Sequence, residues 1–140
     1  MDALLKRGRA ALAGQDFSRL IGTELVRYDA NGAELRLPIS DQLKQQHGFV
    51  HGGVLAYLAD NALTFSGGAA MGANVVTGEM KINYLRPALG DYLVARASCI
   101  SNGRSISVAR CEIYAVADGT EKLCAAAQGS INRLPDPKSD

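Results

Sequence analysis

An α+β fold, in which a mostly antiparallel sheet of five or six strands curls around one long central helix, is predicted by three observations. First, "GGVLAYLADNALTFSGGAAMG" places apolar residues at helical spacing, at Val54, Leu55, Leu58, Ala62 and Phe65. The segment is apolar nearly all round, which marks a buried helix rather than a surface one. Second, the pattern after it changes to strands: "VVTGEMKINYLRP", "DYLVARASCI", "SISVARCEIYAV" and "KLCAAAQGSINRL". Third, the breaks between these runs, "ALGD", "SNGR" and "ADGT", are short and rich in Gly, Asn and Asp, so consecutive strands are neighbours and antiparallel. The sheet must then curl around the helix to bury it.

The elements follow in order. Residues 1–17, "MDALLKRGRAALAGQDF", form an N-terminal extension that reads as a short amphipathic helix; it lacks the uninterrupted apolar core of a signal peptide. The domain proper is expected over residues 18–134. It opens with two strands in "GTELVRYDANGAELRLPIS", joined at Asn31-Gly32, a pair suited to the positive dihedrals of a tight hairpin. The glycines at 67, 68 and 72 fit the end of the central helix. Residues 135–140 close the chain as a polar, proline-containing tail expected to fray.

Composition narrows the function. The chain has 140 residues, the size of one domain, and 47% of them are apolar, too many for disorder. The formal net charge is +1, which gives no electrostatic case for nucleic acid or for a basic membrane-binding face. No apolar run reaches the length of a membrane span. Cys99, Cys111 and Cys124 stand singly in strand-like surroundings, without CxxC spacing, and read as reduced packing residues of a cytoplasmic protein.

Chemistry concentrates in "QQHGFVHGGVLAYLADNA", which holds both histidines, His47 and His51. A helix N-terminus offers unpaired N–H groups and partial positive charge, and Gly52 and Gly53 let another group approach that backbone. "HGG" is therefore a candidate site for an oxygen that develops negative charge, or simply a close strand-to-helix junction. Asp60 lies mid-helix among Leu58, Ala59, Ala62 and Leu63. A carboxylate buried there must be paired, protonated or used. It either caps a backbone group or pairs with Lys81 or an arginine, or it serves as nucleophile or general base in a partly dry cleft. Eight helical residues separate it from Gly52 by about 12 Å, too far to act on one carbonyl within one chain. A second, antiparallel copy of the helix closes that gap, so the spacing calls for a homodimer with two sites across its interface.

These residues resemble the hotdog-fold acyl-CoA thioesterases, in particular the phenylacetic-acid-degradation (PaaI-like) thioesterase group. The likeness covers about residues 18–134 and rests on an amide residue, G-x-x-H-G-G, a carboxylate nine residues after the His, and the later "YLRP". The resemblance implies these roles. Gln45 helps to bind the thioester, and His51 shapes its site. The Gly52 N–H polarises the carbonyl, Asp60 is the catalytic acid residue, and Thr77 positions water or the carboxylate. Arg104, in the turn "SNGRS", would contact the nucleotide end of CoA, or is a solvated turn residue. Val54, with Leu55, Leu58 and the segment around Phe49, would line the acyl pocket. Many relatives with Gln at the first position carry Glu as the acid, and many with Asp carry Asn, so this chain mixes two patterns. The resemblance further implies acyl-CoA as substrate, no metal or organic cofactor, and homodimers often paired into homotetramers. Aryl, arylacetyl or medium-chain acyl groups are the expected substrates. A non-catalytic acyl-CoA-binding module of the same fold, a hotdog dehydratase and a structural dimerisation domain are the alternatives.

Overall fold

The computed structural model describes residues 2–72 and 74–136. Its elements are α1 (Ala3–Ala13), α2 (Asp16–Ile21), β1 (Glu24–Asp29), β2 (Gly32–Pro38), a 3₁₀ turn (Asp41–Leu43), α3 (Gly52–Met71), β3 (Val75–Tyr84), β4 (Tyr92–Asn102), β5 (Ile106–Ala117) and β6 (Thr120–Arg133). The strands form one sheet in the order β1-β2-β4-β5-β6-β3, with every neighbouring pair antiparallel. The predicted α+β architecture is borne out: α3 touches all six strands and fills the curl of the sheet.

Strand alternation builds the core. Leu35 and Leu37 of β2, Leu93 of β4, Ile113 of β5 and Ile131 of β6 are fully buried with Leu58 and Leu63 of α3. Each such side chain contributes roughly 1.5–3 kcal/mol through burial. Cys111 and Cys124 belong to this core as free thiols, and Cys99 is half-buried. Burial pushes the Cys111 thiol up to about 12 and that of Cys124 up to about 11, so neither offers a thiolate near neutrality.

Two expectations need correction. The central helix does not end at Gly67 and Gly68; it runs on to Met71, and Gly72 ends it in the left-handed region at φ 62°. Gly67 serves packing instead: a Cβ there would lie 2.6 Å from the Ile131 side chain, so its absence lets α3 sit close on β6. The first hairpin is also displaced by one residue. Its loop is Ala30–Asn31, closed by the Asn31 N–H donating to the Asp29 carboxylate (2.8 Å), while Gly32 already pairs with Asp29 in the ladder. Gly32 is needed because a side chain would strike the Ala97 carbonyl. The positive-φ pair sits in the other tight hairpin, at Asp118 (51°) and Gly119 (77°).

Helix α3 is also less buried than its composition suggests. One face carries the core residues. The other presents exposed Gly53 and half-buried Ala56, Asp60, Thr64 and Gly68. At the N-terminus, α1 starts on the Asp2 carboxylate, which caps the Leu4 N–H at 2.9 Å, and packs on β1 through Gly8. Helix α2 is tied to α3 by a polar cluster around buried Asn61. The Asn61 Nδ2 donates to Gln15 Oε1 (3.1 Å) and to the Tyr57 hydroxyl (3.2 Å), and Tyr57 also bonds Ser18 and Thr23. The tail expected to fray falls mostly on residues 137–140, outside the described residues.

Candidate active site

The segment before α3 is folded back on itself. Gln45 N–H donates to the Phe49 carbonyl (2.8 Å) around Gly48, whose φ is 84°. His51 N–H then donates to the Leu43 carbonyl (2.8 Å) and Val50 N–H to that of Ala88 (3.1 Å), which fixes where α3 begins. His51 is the N-cap: its Nδ1 accepts from the Gly53 N–H at 2.8 Å, which leaves the ring proton on Nε2. Val54 N–H turns back to the His51 carbonyl (2.9 Å). Among the described residues nothing accepts the Gly52 N–H. That donor, at the positive end of a 20-residue helix, faces a cleft of about 340 Å³ lined by Gln45, Phe49, Leu55, Tyr84 and Arg86. The Gln45 side-chain oxygen accepts from the His47 N–H (2.5 Å), which orients the amide beside the cleft. A Cβ at Gly52 would lie 3.4 Å from the Tyr84 ring, whose hydroxyl donates to the Gly52 carbonyl at 3.2 Å.

Asp60 sits two turns further along. Its Oδ1 accepts a hydrogen bond from the Thr77 hydroxyl on β3. Among the described residues no ion pair reaches Asp60, so the expected alternative of a Lys81 or arginine partner is not met. A bulge at Gly78 aims Thr77. Thr77 pairs with Ile131 and Glu79 with Ser130, so Gly78 is extra and the alternation changes phase. Val75 and Thr77 turn toward α3 before the bulge, Met80 and Ile82 after it.

The structure therefore divides the residues expected from sequence. Gln45, His51, Gly52, Gly53 and Val54 gather at the helix start, with Val54 half-buried and outside the 340 Å³ cleft. Asp60 and Thr77 meet at mid-helix. Arg104 lies at the far end of α3: its carbonyl accepts from Arg133 Nε (3.0 Å), and Arg133 also donates to the Met71 carbonyl (3.0 Å). Sequence reasoning missed Tyr84 as the partner of Gly52, and the Asn61 cluster. For Tyr84 the signal was an aromatic ending a strand just before a proline. For Asn61 it was a second polar residue in the same apolar run.

The family description "Thioesterase superfamily" matches residues 47–122, which include the helix start, Asp60 and Thr77. The chain belongs to the thioesterase superfamily. As a member it is a thioester hydrolase, and its fold is that of the hotdog thioesterases. A crystal structure of a thioesterase family protein from Silicibacter pomeroyi superposes with a TM-score of 0.89 at 30% identity, over 94% of this chain and 98% of that one. A Halobacterium salinarum protein named as an esterase is 37% identical over 99 residues, 64% of this chain and 65% of that protein. The Escherichia coli acyl-coenzyme A thioesterase PaaI is 27% identical over 118 residues, 84% of this chain and 81% of that one. The PaaI structure shares the fold at a TM-score of 0.84. Among the described helices of this thioesterase, none is long and apolar enough to cross a membrane.

Proposed function

We propose that this thioesterase hydrolyses acyl-CoA thioesters at two sites shared between paired chains. The observation that carries the reading is the division of the site: a Gly52 N–H without an acceptor at the head of α3, and an Asp60–Thr77 pair about 12 Å along the same helix. Neither half is complete alone. The exposed face of α3 carries Gly53, Ala56, Asp60, Thr64 and Gly68, small enough at most positions for a second helix to approach. Antiparallel pairing would set Asp60 of one chain beside Gly52 of its partner.

In this reading the thioester oxygen takes the Gly52 N–H, where negative charge builds as the carbonyl becomes tetrahedral. His51 and Gln45 shape the surroundings of the carbonyl. The Asp60 carboxylate attacks the carbonyl carbon and expels CoA thiolate, and water then cleaves the mixed anhydride; alternatively it takes a proton from the water that attacks directly. Thr77 holds the carboxylate in either case. The acyl group is expected to be aryl, arylacetyl or medium-chain, with Val54, Leu55 and Phe49 against it, and Arg104 is assigned to the nucleotide end of CoA from the partner's side.

The test is thiol release from phenylacetyl-, hydroxybenzoyl-, short- and medium-chain acyl-CoAs, with wild type beside Asp60→Asn. Turnover of one class, with most of the rate lost in the folded variant, is the expected result. Binding of acyl-CoA without release by wild type would instead make the chain a binding module.

A further inference from the structure

An acyl group bound between two chains needs two walls. In the shared-site reading, Phe49, Val54 and Leu55 belong to the chain that supplies Gly52. The chain that supplies Asp60 has to close the other side, because the acyl group begins at the very carbon its carboxylate approaches. On the exposed side of α3, the neighbours of Asp60 three and four residues away are Ala56, Tyr57 and Thr64, all half-buried. Tyr57 is the large one.

The Tyr57 ring is held at its hydroxyl end. That hydroxyl bonds Ser18, Thr23 (2.9 Å) and the Asn61 amide (3.2 Å), which leaves the carbon surface of the ring for other contacts. Phe17 of α2 stands edge-on to it, with centroids 4.9 Å apart and planes at 76°. Phe17 is nonetheless 53% exposed. Leu20, three residues on and so on the same side of α2, is 79% exposed, more than any other large apolar side chain among the described residues. Neither belongs to the hydrophobic core. Yet α2 is anchored firmly beneath them, since its Ser18 is buried in the Asn61 cluster. The helix thus holds an apolar surface, which the fold itself does not use, within one helical turn of Asp60. Side chains fixed in this way lose little freedom when a ligand arrives.

We infer, on the shared-site reading, that Phe17 and Leu20 together with the Tyr57 ring form the acyl-specificity wall on the Asp60 side. Pairing that sets Asp60 opposite Gly52 would bring Val54 of the other chain level with Tyr57 and Leu58. The acyl group would then lie between that valine and the Phe17–Tyr57 pair. Part of the wall comes from the segment before residue 18, which sequence analysis set apart as an extension of the domain.

The test is hydrolysis of the acyl-CoA panel above by wild type, Phe17→Ala, Phe17→Leu and Leu20→Ala, with kcat/KM measured for each substrate. Free CoA, which has no acyl group, is the reference ligand, read as an inhibition constant. Elution volume in size-exclusion chromatography reports the pairing of chains. Phe17→Ala is expected to lower kcat/KM about tenfold or more for medium-chain and aryl substrates, and less than about threefold for short ones that make little of this contact. Inhibition by CoA and the elution volume should match wild type. Phe17→Leu should recover most of the loss, and Leu20→Ala should weaken the medium-chain substrates. Equal losses for every substrate, a selectivity that does not move, or dissociation of the pair in Phe17→Ala would each overturn the inference while leaving hydrolysis standing. A wild type that releases no thiol from any substrate would sink the hydrolase reading itself, and this wall with it.

Discussion

Gly52 combines two properties that substitution can separate. Its missing side chain leaves room beside Tyr84, and its N–H is the donor that the proposed mechanism offers to the thioester oxygen. It is also the first residue of α3, where proline is well tolerated, and His51 before it has the extended backbone (φ −59°, ψ 135°) that a following proline requires. Gly52→Ala keeps the donor and adds a Cβ at an ordinary contact distance, so a modest loss of kcat is expected. Gly52→Pro removes the donor while α3 stays folded, and kcat should fall by roughly 10²–10³-fold, the usual cost of one oxyanion donor. Steady-state rates with circular dichroism as the fold control check both. In the proposed mechanism Thr77 is a positioning residue, through its hydrogen bond to Asp60. A hydrogen bond to a charged acceptor is worth about 1.5–3 kcal/mol, so Thr77→Val should lower kcat by roughly 10–100-fold. Thr77→Ser should restore most of it, and equal losses in both variants would mean that the hydroxyl is not what matters. His51, Gly52 and Asp60 stood out in the sequence because their residue types are costly in an apolar run. Tyr84 did not, since an aromatic at a strand end is ordinary until the strand is seen to finish against the helix start.

At the scale of elements, α3 carries the fold and the site at once, and the N-terminal helices are fastened to it. Asn61, only 7% exposed, is bonded to Gln15, Ser18 and Tyr57. Asn61→Ala leaves those partners unsatisfied in a buried place, and a loss of about 1–3 kcal/mol is expected, read as a lower urea midpoint with an unchanged denaturant slope. The helix start was legible because "HGG" is a local signal. The helix end was not: Gly67 and Gly68 look like a stop, and only the proximity of Ile131 on a distant strand shows that Gly67 is a packing residue. The first hairpin misled in the same way, because the demand for Gly32 comes from Ala97 across the sheet and not from the turn. The phase change in β3 was hidden for a related reason: alternation read across Gly78 mixes two registers and blurs both.

For the whole molecule, a site divided between chains makes a distinctive forecast. Gly52→Pro and Asp60→Asn are each expected to lose nearly all activity alone, but in the proposed arrangement a mixed pair would hold one site with both native groups. Equal mixing after subunit exchange should restore about a quarter of wild-type activity, since half of the pairs are mixed and each has one good site of two. A thiol-release assay on the mixture checks this, and no recovery would place both groups within one chain. Sequence could point to two chains through the 12 Å spacing, but it carried no sign of which sheet edges are available. The structure differs at the two. Along β1, α1 lies against the strand and Arg9 occupies the Leu25 carbonyl. Beyond β3, no further strand pairs among the described residues. A sheet shielded on one side and open on the other has a single place to add strands. In the proposed pairing, two copies meeting at β3 would leave only their β1 margins, each with α1 against it, so growth would stop at a finite ribbon rather than run on as a filament.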